Sequence, residues 1–131
     1  MNQINNLHKY FIWSNRMKIH FIGCLKNKVN WKYELEKAYR IESNMYMSLW
    51  YGMLYVVIEW WWKLRLEDQN IQKLLRSKNV KLLEKYRNGV FHFEQNESYD
   101  GFEDFFEQPN TDKWARELTS EFSRWFLENN K

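Results

Sequence analysis

The sequence predicts an all-α domain, a four- to five-helix bundle, on three observations. It holds one proline and four glycines in 131 residues, its apolar side chains recur at helical spacing, and hairpin-type turn chemistry is almost missing. With so few breaks, helices must fill the length, and 131 residues is the size of one domain, here residues 1–131. No internal repeat or low-complexity tract divides it.

The first helix is expected from about Asn5 or Asn6 to Leu25, on the recurrence of Leu7, Phe11, Ile12, Ile19 and Ile22, with Gly23 near its end. Lys26, Asn27, Lys28 and Asn30 then make a polar turn. A long second helix is expected from about Trp31 to Leu66, with a bend or break near Ser43-Asn44 or at Gly52. Its second part, Met45 to Trp62, is as long as a minimal bilayer span, but Glu59 interrupts it and rings crowd its middle. The expected role is the central helix of the bundle, surrounded on all sides, and no membrane partner is expected. Trp60, Trp61 and Trp62 cannot all face one way, so at least one belongs to a surface or an interface.

Asp68 is the expected cap of a short helix from Ile71 to Arg76, and Ser77-Lys78-Asn79 leads into a helix from Val80 to about Phe93. The helical period then fails in an acidic, aromatic loop at about 94–110, where Tyr99, Phe102, Phe105 and Phe106 are expected to clamp the loop onto the bundle. Pro109, Asn110 and Thr111 open the last helix, whose Trp114, Leu118, Phe122 and Trp125 form an apolar face.

Eight Trp, eight Tyr and nine Phe are more ring surface than a small domain can hide in its own interior, so part of it is expected in a subunit interface. The single cysteine, Cys24, excludes an internal disulfide framework and a cysteine-based zinc site, which fits a reducing, cytoplasmic compartment. No export signal is visible at MNQINNLHKYF. His8 and His20 lack the companions of a helical metal site, so no metal and no cofactor is expected. Phosphate loops and serine-nucleophile motifs are absent as well.

A net charge of +3 announces no partner, but its distribution is uneven. Lys63, Arg65, Lys73, Arg76, Lys78, Lys81, Lys85 and Arg87 crowd one stretch, whereas every charge from Phe93 to Asn110 is acidic. Two solvated surfaces of opposite sign are one reading. The other is a basic face that tracks phosphates through Lys81, Lys85 and Arg76, partly screened by the acidic arm.

Beside that run stands Arg87-Asn88-Gly89-Val90-Phe91-His92. At 100° per residue Leu82, Leu83, Tyr86, Val90 and Phe93 gather on a core face, while Glu84, Asn88 and His92, four apart, share the opposite side. Arg87 and His92 are about 140° apart on an ideal helix, so a long guanidinium stem, a loosened turn at Gly89 or a second subunit must bring them together. Glu59, a carboxylate in the most apolar stretch, either pairs with Lys63 or Arg65 on its own helix or holds Arg87 from behind; Glu84 is a second candidate for such support.

R-N-x-x-x-H near the end of the third major helix of a small all-α domain resembles the R-x(4 to 6)-H motif of the HEPN superfamily. The resemblance covers the helical pattern from about Trp31 to Trp125 but, in residues, only this motif. It implies an antiparallel homodimer in which two motifs meet in a cleft and cut RNA without a metal. Arg87 and His92 would be catalytic and Asn88 supporting, and an antitoxin or other regulatory protein would be a further partner. In such chemistry His92 moves protons, since an imidazole titrates near neutrality, and Arg87 offers paired donors to phosphate oxygens. Asn88 orients His92, donates to the phosphate or is a plain surface amide. Some HEPN toxins carry a tyrosine two residues after the His as a target for nucleotidylation; Glu94 stands there in this chain, and Tyr99 is the nearest tyrosine downstream. A non-catalytic RNA-binding or protein-interaction module of the same fold is the alternative.

Overall fold

The computed structural model describes residues 2–27, 36–92 and 110–129, which form five helices and no strand. They are α1 (Gln3–Lys26), α2 (Glu36–Lys63), α3 (Gln69–Leu75), α4 (Asn79–Phe91) and α5 (Thr111–Asn129). The expected acidic loop, apart from Asn110, and the expected start of the second helix at Trp31 lie outside the described residues.

Helix α1 begins two to three residues earlier than expected because Asn2 is the cap: its side-chain oxygen accepts from the Ile4 amide at 2.9 Å. Its buried stripe also differs. Leu7, Phe11 and Ser14 are buried and Ile4, Met17 and Phe21 pack beside them, whereas Ile12 and Ile19, seven apart, share an exposed face. Helices α1 and α2 form an antiparallel hairpin. Ser14 Oγ donates to the Trp50 carbonyl at 3.0 Å, and the His20 ring stacks on Tyr46.

Helix α2 runs without a break through Ser43, Asn44 and Gly52. Leu54, Val57, Ile58 and Trp61 are fully buried, yet Ile41, Met45, Trp60 and Trp62 are exposed, so the helix is central without being surrounded on every side. It stops at Lys63 in a Schellman turn: the Arg65 amide donates to the Trp62 carbonyl at 3.0 Å and the Leu66 amide to the Trp61 carbonyl at 3.1 Å. Arg65 holds the left-handed position at φ 55°, where glycine is usual.

Asp68 caps α3, its Oδ1 accepting from the Asn70 and Ile71 amides at 3.0 and 3.1 Å. Helix α5 closes the core with Trp114, Ala115, Leu118, Thr119, Phe122, Trp125 and Phe126 all buried. Trp61 meets Phe122 and Trp125 edge-on at 5.5 and 4.9 Å, and Phe11 stacks on Phe126 at 5.4 Å. Two indole N–H groups are also placed, Trp61 donating to Gln72 and Trp114 to the Leu74 carbonyl, while the buried Trp50 N–H has no partner among the described residues. No helix among the described residues is long and apolar enough to cross a membrane.

Candidate functional site

Ser48, Gly52, Tyr55 and Glu59 are spaced four, three and four apart, so they form one stripe on α2, and this stripe meets α4. Each member has a partner there. Ser48 shares a 3.0 Å hydrogen bond with the Tyr86 hydroxyl. Gly52 lies beneath the Phe91 ring, where a Cβ would stand 3.0 Å from Phe91 Cε2. The buried Tyr55 donates its hydroxyl hydrogen to Glu84 and lies under the Arg87 guanidinium, 4.9 Å from ring centre to Cζ. Glu59 Oε2 stands 4.0 Å from Arg87 Nη2. Burial pushes the Tyr55 hydroxyl well above its ordinary pKa, helped by the Glu84 hydrogen bond and the Glu84 and Glu59 charges, with Arg87 opposing; it is a neutral donor.

Arg87 is therefore located without being neutralised. Its side chain is 25% exposed, its one carboxylate neighbour among the described residues lies beyond hydrogen-bond range, and its buried Nε has no hydrogen-bond partner. Glu59 reaches across to α4 instead of pairing along its own helix, where Lys63 Nζ sits 4.7 Å over the Trp60 ring. Glu84 anchors Tyr55, so its link to Arg87 runs through that ring.

Helix α4 ends at Phe91, two residues before the expected end. His92 is the residue after the last turn, with extended backbone at φ −115° and ψ 130°. Its direction is thus set by chain leaving the helix, and the 140° ideal-helix separation from Arg87 does not apply. The His92 side chain is exposed and makes no hydrogen bond or ion pair among the described residues. Asn88 is half-buried, one turn after Glu84, and its amide bonds to neither Arg87 nor His92. On the core side, Leu83 and Tyr86 are fully buried and Leu82 and Val90 half-buried, as the spacing predicts; Phe93 lies outside the described residues.

Lys81 and Lys85 are exposed one turn apart on α4, on the same side as Asn88. Arg76 is exposed as the C-cap of α3, where a cation also suits the negative end of a helix. Glu94 and the rest of the acidic arm expected to screen this face, apart from the uncharged Asn110 at its end, lie outside the described residues. No group of three metal-ligating side chains gathers among the described residues.

Sequence reading missed Tyr55, Gly52 and Ser48. Their signal was present: three small or polar-tipped residues at helical spacing leading to Glu59 inside an apolar run. No protein-family model matches the chain, and no curated protein or solved structure matches it.

Proposed function

We propose that the chain is a HEPN-type endoribonuclease that needs no metal, acts as a homodimer in a cytoplasmic toxin or defence role, and is restrained by an antitoxin or other regulatory protein. The observation that carries this reading is the state of Arg87: a guanidinium held in place by a tyrosine ring and a distant carboxylate, with Nε unbonded and no donor spent among the described residues, five residues before an exposed histidine. Such a cation is suited to a phosphodiester, whose non-bridging oxygens accept paired N–H donors.

The chemistry follows from what RNA cleavage needs. The His92 imidazole removes the proton of the ribose 2′-hydroxyl, and the freed oxygen attacks the adjacent phosphorus. Arg87 stabilises the extra negative charge on the pentavalent phosphorane. The bond to the 5′-oxygen breaks as that oxygen takes a proton from the second protomer's His92, leaving a 2′,3′-cyclic phosphate and a 5′-hydroxyl. Lys81, Lys85 and Arg76 hold neighbouring phosphates, and Asn88 donates to the scissile one.

Purified protein is expected to cut total RNA equally well with and without a chelator. His92→Ala should lower the rate by about a hundredfold or more, the usual scale of general acid–base catalysis, with the helical circular dichroism unchanged. Full activity in that variant would remove the catalytic role. A non-catalytic RNA-binding or protein-interaction module is favoured by a different observation, the exposure of Trp13, Trp60, Trp62 and Phe91. RNA binding or complex formation with no cyclic-phosphate product would decide for it.

A further inference from the structure

Beside the α4-facing stripe of α2, a half-open cleft of about 530 Å³ lies between the first turns of α1 and the last turns of α2. That volume is within the range of small-molecule sites. Leu7, Val56 and Leu64 give it apolar surface, Tyr10 and Trp60 supply rings, Gln3 and Asn6 add neutral polar side chains at one end of α1, and Glu59 is the one charged residue of its lining. The Glu59 carboxylate is 31% exposed, accepts no hydrogen bond among the described residues and has Arg87 as its one cationic neighbour, at 4.0 Å. It is thus an under-used acceptor shared between the cleft and the α4 seam.

The two rings already attract ammonium groups. Lys9 Nζ stands 5.4 Å from the centre of the Tyr10 ring and Lys63 Nζ 4.7 Å from that of Trp60. Both lysines are exposed and neither lines the cleft. A single carboxylate, aromatic rings and apolar surface together match one ligand chemistry: a positive head on a hydrophobic body.

We propose that this cleft binds a small organic cation, a primary amine carrying an aromatic or branched apolar body, and that its ammonium competes with Arg87 for Glu59. At 4.0 Å Glu59 takes no hydrogen-bond donor of Arg87, so amine binding would offset only the carboxylate's charge beside the guanidinium; on the nuclease reading this favours phosphate and makes the ligand an activator, whereas binding itself does not rest on that reading. A neutral or anionic molecule of the same shape lacks the charge-assisted bond and binds less well.

The test uses the whole protein without RNA, with 2-phenylethylamine as the probe, followed by titration calorimetry and the Trp60 indole resonance. The amine is expected to bind at least about tenfold more tightly than 2-phenylethanol, the scale of one charge-assisted hydrogen bond. Glu59→Gln should weaken the amine by a similar factor and leave the alcohol unchanged. Arg87→Ala should tighten the amine, since the competing cation is gone. Equal affinity for amine and alcohol, or no saturation by about 10 mM amine, overturns the proposal, and the alcohol comparison stands even if a variant fails to fold. Amine binding without any His92-dependent cleavage would sink the nuclease alone, whereas such cleavage without amine binding would sink the ligand site alone.

Discussion

Two arginines in this molecule stand in opposite conditions. Arg124 on α5 is bonded to three carboxylates: Asp68 at 2.8 Å through Nη2, Glu121 at 2.7 Å through Nε and Glu128 at 2.9 Å through Nη1. Arg87 on α4 has one carboxylate at 4.0 Å and an unbonded Nε. Burial does not separate them, since their side chains are 33% and 25% exposed. What separates them is how much of the fork is used. Arg124 ties the cap of α3 to α5, while Arg87 makes no hydrogen bond to a carboxylate among the described residues; on the proposed reading its donors serve a phosphate.

The largest expected contrast is between their alanine variants. Arg124→Ala should cost about 1–2 kcal/mol of stability in urea unfolding, a modest figure because solvent screens a guanidinium exposed by a third, and it should leave RNA cleavage alone. Arg87→Ala should change stability by under about 1 kcal/mol and reduce cleavage by about a hundredfold or more. Similar stability losses in both would break the comparison, because Arg87 would then be a structural cation like Arg124.

Asp68 sharpens the structural half of that contrast through pH. Burial raises its pKa, but the Arg124 hydrogen bond, the Ile71 and Asn70 amides and the Arg124 charge outweigh it, and the net shift is downward. A carboxyl whose folded pKa lies below the unfolded value of about 3.9 contributes stability that is fully present above that pH and lost as pH falls through the folded pKa. Stability measured from pH 6 downward should therefore decline below about pH 4 in the native protein and less steeply in Asp68→Asn, which keeps a capping oxygen but not the charge. Identical slopes would show that the Arg124 cluster adds nothing beyond the cap.

These two regions were unequally legible in the sequence. Asp68 could be read as a cap because a short acidic side chain before an apolar-periodic segment has few other uses. The face of α5 could be read because its stripe is unbroken. The end of α2 could not: its Schellman turn places Arg65 where the usual signal is glycine, so the helix was extended to Leu66. The start of α1 reads from apolar spacing as Asn5 or Asn6, whereas the capping side chain is that of Asn2, ahead of the first apolar residue of the stripe. At the candidate site Arg87 and His92 stood out as residue types at a spacing. The ring that carries Arg87 did not, because a tyrosine in an apolar run looks like core until a partner helix is set against it. Helical arithmetic puts His92 away from the core, where it is exposed, but the angle it gives to Arg87 holds only while the helix continues.

The smallest expected effect probes how that seam is packed. A methyl group at Gly52 would meet Phe91 Cε2 at 3.0 Å and Cζ at 3.4 Å, with Arg87 Cγ at 4.0 Å. Two effects oppose each other in Gly52→Ala. Alanine favours a helix interior over glycine by about 1 kcal/mol, while the ring must move aside. Phe91 is 54% exposed, so it can swing outward at small cost, and net stability should stay within about 1 kcal/mol of the native value by thermal unfolding. Phe91 is also the last residue of α4 and the neighbour of His92, so the same displacement shifts the imidazole relative to Arg87. Cleavage should fall by about tenfold, since small errors in the placement of reacting groups are costly. A variant that loses stability but not activity would reverse the assignment, making the α2–α4 seam a structural contact and leaving Arg124 and Arg87 different in geometry but alike in purpose.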